Sequence, residues 1–334
     1  MRTRTVSVPC PPKYVLFFFL LLAAGEFKCS ADVVLLVEDP LGSVGYFSDA
    51  GHTAVWISDA CLENNGRVHI CHTGDGVVFS NMTGWRAYGY AAIPASIYLY
   101  GATPDRANAI PYGDKNQKKR ELFWNQHLAA TYPLVKPADG SEMIAHAFRR
   151  RIYLLRLKTS PEEDAAAISE IHERLSKNSF HFWTNNCTDF SSAVLNIYFP
   201  GKFRREWYHD LAITTPERLG DRTEQYGRQH PERELVIERL QVNPENFFHH
   251  RRAQDPTGAA LFDWKYAVPL FLGSPLTYAS VGVIHLFDDG PHIGGSFRKH
   301  AQSREMDSPP VSRWNSTAPP DKTTGTGGST GSIE

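Results

Sequence analysis

The sequence predicts an α+β protein, and three observations support this prediction. Short apolar runs typical of strands are spread between residues 33 and 100, and helical patterns with defined starts follow from residue 121 onward. The chain has 334 residues, enough for one large domain or two modest ones. Its composition, 42 % hydrophobic and 21 % charged, is that of a folded globular chain rather than a disordered one.

The N-terminus has the pattern of an export signal. Basic residues precede the apolar run 14–25, and Cys29-Ser-Ala31 is a small-x-small cleavage pattern. The run is shorter than the ~20 residues that a spanning helix needs. We predict a signal peptide over residues 1–31, a mature chain that starts at Asp32, and an exported protein located in the periplasm or outside the cell. An uncleaved N-terminal anchor is the alternative.

The next segments alternate between strand and turn signals. Residues 33–37, 53–57, 67–71, 76–80 and 93–100 are rich in β-formers, and we expect strands there. A helix is expected over 121–132 and a strand over 151–157. Ser160-Pro-Glu-Glu163 is a capping box with proline at the first helical position, which predicts a helix from there to about residue 177.

A second helix is predicted to begin at a cysteine. Thr184, Asn185 and Asn186 are all acceptable N-cap residues, and Pro200-Gly201 ends the pattern. Cys187 therefore lies in the first turn, where free N–H groups and the helix dipole favour a thiolate, the nucleophilic form. The alternative is a packing cysteine, because Cys187 precedes Phe190 by three residues on the apolar face.

His52 follows Gly51 and begins the expected strand 53–57. A histidine at a strand edge beside a glycine can reach a neighbouring helix terminus. The chain has 14 histidines, so a surface or packing role is the alternative for this one.

Cysteine usage favours an oxidising compartment. Of five cysteines, Cys10 and Cys29 belong to the signal, which leaves Cys61, Cys71 and Cys187. Cys61 and Cys71 are ten residues apart, and we predict that they form a disulfide and leave Cys187 free. A zinc site is the weaker alternative, since the spacing of its candidate ligands matches no standard site; these are Cys61, His69, Cys71 and His72. No metal and no cofactor are predicted.

Two motifs carry a resemblance to a known family. Gly51-His-Thr-Ala-Val55 followed by Asn186-Cys-Thr-Asp-Phe190 resembles the permuted papain-like superfamily, which includes NlpC-type peptidases and lecithin:retinol acyltransferase-like proteins. The motifs are most similar to those of Lnb-like N-terminal periplasmic domains and uncharacterised secreted bacterial proteins. The resemblance covers roughly residues 40–200.

The resemblance implies a permuted papain-like core over residues 32–205, in which an antiparallel sheet packs on the Cys-bearing helix. Cys187 would attack an amide, ester or thioester, and His52 would act as its base. A third residue would orient His52 from the following strand. His72 is favoured for that role, with His69 and Asp75 as fallbacks and Asp189 as a weaker candidate. Backbone N–H groups around Asn186 and Thr188 would form the oxyanion hole.

The rest of the chain is predicted to be a C-terminal extension packed on the core, residues 206–299, and a disordered tail, residues 300–334. A helix should start at Thr214-Thr-Pro216. Residues 266–287 carry no formal charge but contain prolines and glycines, so we expect a strand hairpin there rather than a membrane span.

The net charge of −1 gives no electrostatic basis for binding nucleic acid. The sequence predicts an amide- or ester-containing substrate without identifying it, and cell-envelope material is one candidate. Membrane association is not favoured. Asn186-Cys-Thr is a glycosylation sequon, and a glycan there would block Cys187, which favours a bacterial protein. The second hypothesis is a non-enzymatic envelope or secreted protein that retains the fold.

Overall fold

A computed structural model of the chain describes residues 31–40, 51–71, 74–81, 89–101, 114–131, 147–177, 181, 184–205, 214–241, 261, 264–287 and 296–304. Its main element is a seven-stranded sheet, whose strands are β1 (Ala31–Glu38), β2 (His52–Ile57), β5 (Val77–Ser80), β6 (Ala91–Pro94), β7 (Arg151–Thr159), β8 (Val236–Gln241) and β9 (Gln302–Arg304). A separate hairpin is formed by β3 (Ala60–Leu62) and β4 (Val68–Ile70). The strand order in the sheet is β6-β5-β2-β1-β7-β8-β9, and all neighbours are antiparallel except β8 and β9, which are parallel.

Strand β1 lies at the centre of the sheet, and all eight of its residues are buried. Successive side chains of a strand point to opposite faces, so β1 supplies apolar groups to two cores. Val33, Leu35 and Val37 belong to one hydrophobic cluster, and Val34 and Leu36 belong to another. We call the corresponding sides of the sheet the first face and the second face.

Helices cover both faces. The first face packs against α3 (Pro161–Glu173), α4 (Cys187–Tyr198), α5 (Pro216–Gln229) and α8 (Ser296–His300). The second face packs against α1 (Ala95–Tyr100) and α2 (Asp114–Thr131), whose Trp124 and Leu128 are almost fully buried. The remaining α-helices of the described residues are α6 (Trp264–Gly273) and α7 (Pro275–Phe287). The fold is therefore mixed α/β with a mostly antiparallel sheet, one face of which packs on the helix that begins at Cys187.

Several helices and strands were predicted correctly from short-range patterns in the sequence. The capping box at Ser160 is present, with both of its hydrogen bonds formed and Pro161 at the first helical position. The helix predicted from Thr214 onward begins at Pro216, capped by Thr215. The strand predicted over 151–157 is β7, which continues to Thr159. These three predictions are confirmed. Caps and short apolar runs act through neighbouring residues, so they can be recognised in the sequence alone.

Two element assignments were wrong. Residues 93–100 were expected to be a strand, but β6 ends at Pro94 and α1 begins at Ala95, with every residue of α1 buried on the second face. Residues 266–287 were expected to be a strand hairpin, but they form α6 and α7. Pro275 opens α7, where its missing N–H costs no hydrogen bond, so this proline starts a helix rather than breaking one.

The C-terminal part of the chain extends the same sheet rather than only packing on it. Strand β8 pairs with β7, and β9 pairs with β8. Because β9 spans Gln302–Arg304, it lies within the segment that was expected to be disordered. At the other end, Ala31 begins β1, while residues 1–30 lie outside the described residues, so the signal peptide stays a prediction.

The predicted disulfide between Cys61 and Cys71 is present, with a Cα–Cα distance of 5.7 Å. It joins β3 to the residue after β4, and it rules out Cys61 and Cys71 as thiolate ligands of zinc. Gly74 packs directly on the bridge, since an added Cβ would lie 2.6 Å from the Cys61 sulfur. A disulfide is compatible with an exported protein. Among the described residues, no helix combines the length and the apolarity needed to cross a bilayer.

Candidate functional site

The start of α4 is held by a complete capping box. The Asn186 side chain accepts hydrogen bonds from the amides of Thr188 and Asp189, at 2.8 and 3.0 Å. In return, the Asp189 carboxylate accepts from the Asn186 amide at 3.2 Å. Cys187 is therefore the first residue of the helix, as the sequence predicted, and its position is set by these two side chains.

Cys187 lies against the beginning of β2. Its sulfur is in hydrogen-bonding contact with the backbone and the side chain of Thr53, and it is 3.9 Å from the Thr188 hydroxyl. One turn further along α4, the Ser191 hydroxyl donates to the Thr53 hydroxyl at 3.2 Å. Cys187 is partly exposed, and it is the free cysteine of the described residues. The Cys-bearing turn thus meets the residue that directly follows His52.

His52 is buried on the second face, with 2 % of its surface exposed. It pairs across the sheet with Glu38, and its Nε2 lies 2.8 Å from the Ser80 hydroxyl of β5. Gly51 adopts a φ of +78°, and a Cβ there would lie 2.3 Å from the Glu38 carbonyl oxygen. Glycine is thus required at this position, directly before His52, because any other side chain would collide with that oxygen.

Further buried polar groups surround His52 at this end of the sheet. The Tyr98 hydroxyl donates to the Glu38 carboxylate at 2.6 Å, and Arg150 Nε lies 3.5 Å from the other carboxylate oxygen. Tyr98 also forms a hydrogen bond with Ser80. These five side chains, His52, Ser80, Tyr98, Glu38 and Arg150, form a buried polar network that links β1, β2, β5, α1 and the residue preceding β7.

Burial controls the electrostatics of the site. It lowers the pKa of His52 to about 3, with a further contribution from the Arg150 charge. It raises the pKa of Glu38 to about 7, against the opposing effects of Arg150 and of the Tyr98 hydrogen bond. Both shifts disfavour the charged form of a group that is removed from water.

Burial also raises the pKa of the Cys187 thiol, although hydrogen bonds from Thr53 and Thr188 act in the opposite direction. The expectation that the helix start would stabilise a thiolate is therefore wrong for this conformation. The loss of solvent around the sulfur outweighs the stabilisation of the thiolate by the hydrogen bonds with Thr53 and Thr188. At neutral pH the site holds a neutral thiol and a neutral imidazole.

The Cys187 sulfur and the His52 ring approach the same end of the sheet from different sides. Helix α4 packs on the first face, whereas the His52 side chain leaves β2 on the second face with Glu38. The sulfur contacts Thr53, and Nε2 of the ring contacts Ser80. The structure thus brings the two residues to adjoining positions but engages them with different partners.

The other predicted site residues have varied placements. His72 lies outside the described residues. His69 is on the β3–β4 hairpin and pairs with Glu63 at 3.3 Å, and the Asp75 carbonyl accepts from the Trp56 indole at 3.1 Å. Asp189 serves the cap and accepts from the Thr214 hydroxyl. The amides of Asn186 and Thr188, expected in the oxyanion hole, are both engaged in the capping box.

Sequence reasoning missed Glu38, Ser80, Tyr98 and Arg150. One signal was available for Glu38: an acidic residue directly after the apolar run 33–37 has to be buried with a partner or emerge at the end of the sheet. Ser80, Tyr98 and Arg150 have no local signature, because their roles come from strand pairing and helix packing.

A cavity of about 470 Å³ lies elsewhere, between α5, β8 and β9. Its lining includes Arg228, Leu235 and His300, and it shares no residue with the Cys187 site.

Comparison of the chain with protein-family models, with curated proteins and with solved structures finds no match. Function therefore has to be inferred from the site itself.

The raised thiol pKa predicts slow alkylation of Cys187. With iodoacetamide, which reacts with the thiolate, the rate at pH 7.5 should be lower in the native protein than in the urea-unfolded chain. The native rate should also keep rising between pH 7 and pH 9.5. Peptide mapping separates Cys187 from the other cysteines. An alkylation rate of the native protein that levels off below pH 8 would contradict the raised pKa of the Cys187 thiol.

Proposed function

We propose that this protein is a cysteine-dependent hydrolase or acyltransferase with a permuted papain-like core, acting outside the cytoplasm. The observation that carries the proposal is the contact of the Cys187 sulfur with Thr53. It brings the first residue of α4 to the first residues of β2, where His52 is held by Ser80. Nucleophile and base on a helix start and a neighbouring strand start are the arrangement that the resembled families use. The disulfide between Cys61 and Cys71 supports an extracytoplasmic location.

In the proposed reaction, His52 Nε2–H donates to the Ser80 hydroxyl, which leaves Nδ1 as the basic nitrogen. Nδ1 is the ring nitrogen nearer the backbone, and the Cys187 sulfur contacts the backbone one residue away. As the sulfur forms its bond with the substrate carbonyl carbon, the thiol proton passes to Nδ1. Because the ring leaves β2 on the second face and the sulfur contacts Thr53, this transfer runs through one bridging water at the end of the strand. The leaving group departs with that proton, and water or an acceptor alcohol or amine then releases the acyl group from the sulfur.

The neutral resting state of the site favours esters and thioesters over amides. Because His52 is a weak base, it generates little thiolate during attack, and acyl donors with good leaving groups react fastest. His52, with a pKa lowered to about 3, is unprotonated throughout the range above pH 5. We therefore expect hydrolysis to lack an acid limb between pH 5 and pH 8, where an unperturbed histidine with a pKa near 6.5 would produce one.

Turnover of small acyl donors tests the proposal. The purified protein is assayed with a p-nitrophenyl ester, an N-acetylcysteamine thioester and a peptide anilide, each beside the Cys187→Ala variant. The expected result is hydrolysis of the ester and the thioester by the native protein, and loss of that activity in Cys187→Ala with unchanged circular dichroism. Equal rates in both proteins would contradict a catalytic role for Cys187.

A second candidate is a non-enzymatic protein in which the same residues stabilise the fold. The buried polar network favours it, because Glu38, His52 and Arg150 are all enclosed and link three segments of the sheet. In that case Cys187 fills space beside Thr53. This candidate predicts that no acyl donor is turned over. It also predicts that replacing His52 lowers the stability of the fold.

A further inference from the structure

Helices α6 and α7 form a hairpin whose outer surface is apolar. They pack against each other, with Phe271 and Tyr278 in edge-to-face contact at 5.5 Å between ring centroids. The large side chains that face outward are hydrophobic. Leu272 and Leu276, which flank the turn between the helices, are 74 % and 80 % exposed, and Val268, Phe271 and Val283 are each about half exposed. Contiguous exposed apolar surface of this kind marks an interaction site.

Apart from Lys265 in the first turn of α6, the hairpin has no lysine, arginine or acidic side chain that would keep it in water. Residues 266–287 contain no lysine, arginine, aspartate or glutamate, and they cover nearly all of both helices. A helix on the surface of a soluble protein normally presents charged residues to solvent. Here the large outward side chains are apolar, and the polar ones are the small hydroxyls of Thr277 and Ser280, so a protein partner held by charge complementarity has no charge to bind.

Several polar groups of the hairpin are paired within it or with Leu261 just before it. At the turn, the Ser274 hydroxyl pairs with the Thr277 hydroxyl at 2.6 Å, and the Ser274 amide donates to the Leu270 carbonyl at 2.9 Å. The Ser280 hydroxyl donates to the Leu276 carbonyl, and the Tyr278 hydroxyl donates to the Leu261 carbonyl. Internal pairing of hydroxyls and amides is what a hydrocarbon environment demands, because no water is present to replace it.

The lengths of the two helices match one half of a bilayer. Helix α6 has 10 residues and α7 has 13, which correspond to about 15 and 20 Å at ~1.5 Å per residue. The hydrocarbon core of a bilayer is ~30 Å thick, so each helix reaches about its middle. In the sequence, Trp264-Lys-Tyr266 stands at the start of α6, and such residues are enriched where a membrane meets water.

We propose that α6 and α7 insert as a hairpin into one leaflet of a lipid bilayer, with Leu272 and Leu276 at the deepest point. The occupant of the apolar surface is the hydrocarbon region of the membrane, and the chain is held at the membrane face without crossing it. This inference is independent of the chemistry at Cys187.

Flotation with phosphatidylcholine vesicles tests the proposal. All samples are the full chain with Leu20→Arg and Leu21→Arg, which remove membrane binding by the apolar N-terminal segment. In this background, Leu272→Asp with Leu276→Asp should reduce the partition coefficient by about 100-fold or more, because aspartate is strongly disfavoured in hydrocarbon. The matched control is Leu122→Asp on α2, an exposed leucine of similar type, 58 % exposed, which should leave binding unchanged.

The salt dependence and the oligomeric state complete the test. Binding through apolar burial should persist at 1 M NaCl, whereas binding through charge would be lost. Failure of the parent chain to float, or equal flotation of the double aspartate variant, would overturn the proposal. A parent chain that stays off the vesicles but forms a dimer, dissociated by the aspartates in sedimentation velocity, would assign the surface to a second copy instead.

Discussion

Replacing His52 by alanine is expected to lower kcat for thioester hydrolysis by about 10²-fold, the lower end of the usual contribution of a general base, because burial makes this histidine a weak base. The Cys187 thiol has a raised pKa, so it depends on a base for every turnover. KM should change little, because His52 acts on the thiol proton and does not bind the substrate itself. Steady-state kinetics with the N-acetylcysteamine thioester measures both constants.

The Ser80→Ala variant tests how far the orientation of His52, as distinct from its presence as a base, contributes to the rate. The Ser80 hydroxyl lies 2.8 Å from His52 Nε2, so its removal should leave the base in place but less well oriented. We expect a smaller fall in kcat than for His52→Ala, with Ser80→Thr retaining most of the activity. If His52→Ala and Ser80→Ala lower thermal stability but leave kcat as it was, these residues stabilise the fold and do not support the reaction.

Replacing Arg150 by methionine is expected to destabilise the protein by about 3–5 kcal/mol, because it leaves the Glu38 carboxylate buried without its partner. The effect should depend on pH. Burial already raises the pKa of Glu38 to about 7, so the folded state holds its proton more strongly than the unfolded state. The stability that comes from binding this proton in the folded state therefore falls as the pH rises from about 4.5 to about 7. Loss of the Arg150 charge raises the Glu38 pKa further. The variant should therefore lose more stability at pH 8 than at pH 5.

Urea unfolding at the two pH values measures this effect. Arg151→Met is the matched control. Arg151 lies 3.8 Å from Asp39 with 31 % of its side chain exposed, and its replacement should cost less than about 1 kcal/mol. Adding Glu38→Gln to Arg150→Met should restore much of the stability at pH 8. Equal losses for the Arg150 and Arg151 variants would mean that the buried pair does not hold the sheet together.

The parts of the site that could be predicted from the sequence are the ones built from local contacts. Asn186, Cys187 and Asp189 are neighbours in the chain, so their cap and the helix start follow from residue types alone. Cysteine number and spacing were enough to pair Cys61 with Cys71.

The rest of the site depends on contacts between distant residues. Ser80 reaches His52 across 28 residues and Tyr98 reaches Glu38 across 60, and neither contact leaves a pattern in the sequence. The thiol pKa depends on how deeply the helix start is enclosed, which is also a property of the assembled fold. Residues 266–287 were assigned wrongly for another reason, since a short apolar run with prolines fits a strand hairpin and a helical hairpin equally well.

The rate of acyl transfer to Cys187 tests the central claim most directly. The native protein and the urea-unfolded chain are incubated with the N-acetylcysteamine thioester at pH 7.5, and acylation of the Cys187 peptide is followed by mass spectrometry. If His52 takes the thiol proton during attack, Cys187 should be acylated faster in the native protein, even though its raised pKa makes alkylation slower there. Slower acylation in the native protein is what burial alone produces, and it would contradict the nucleophile–base assignment.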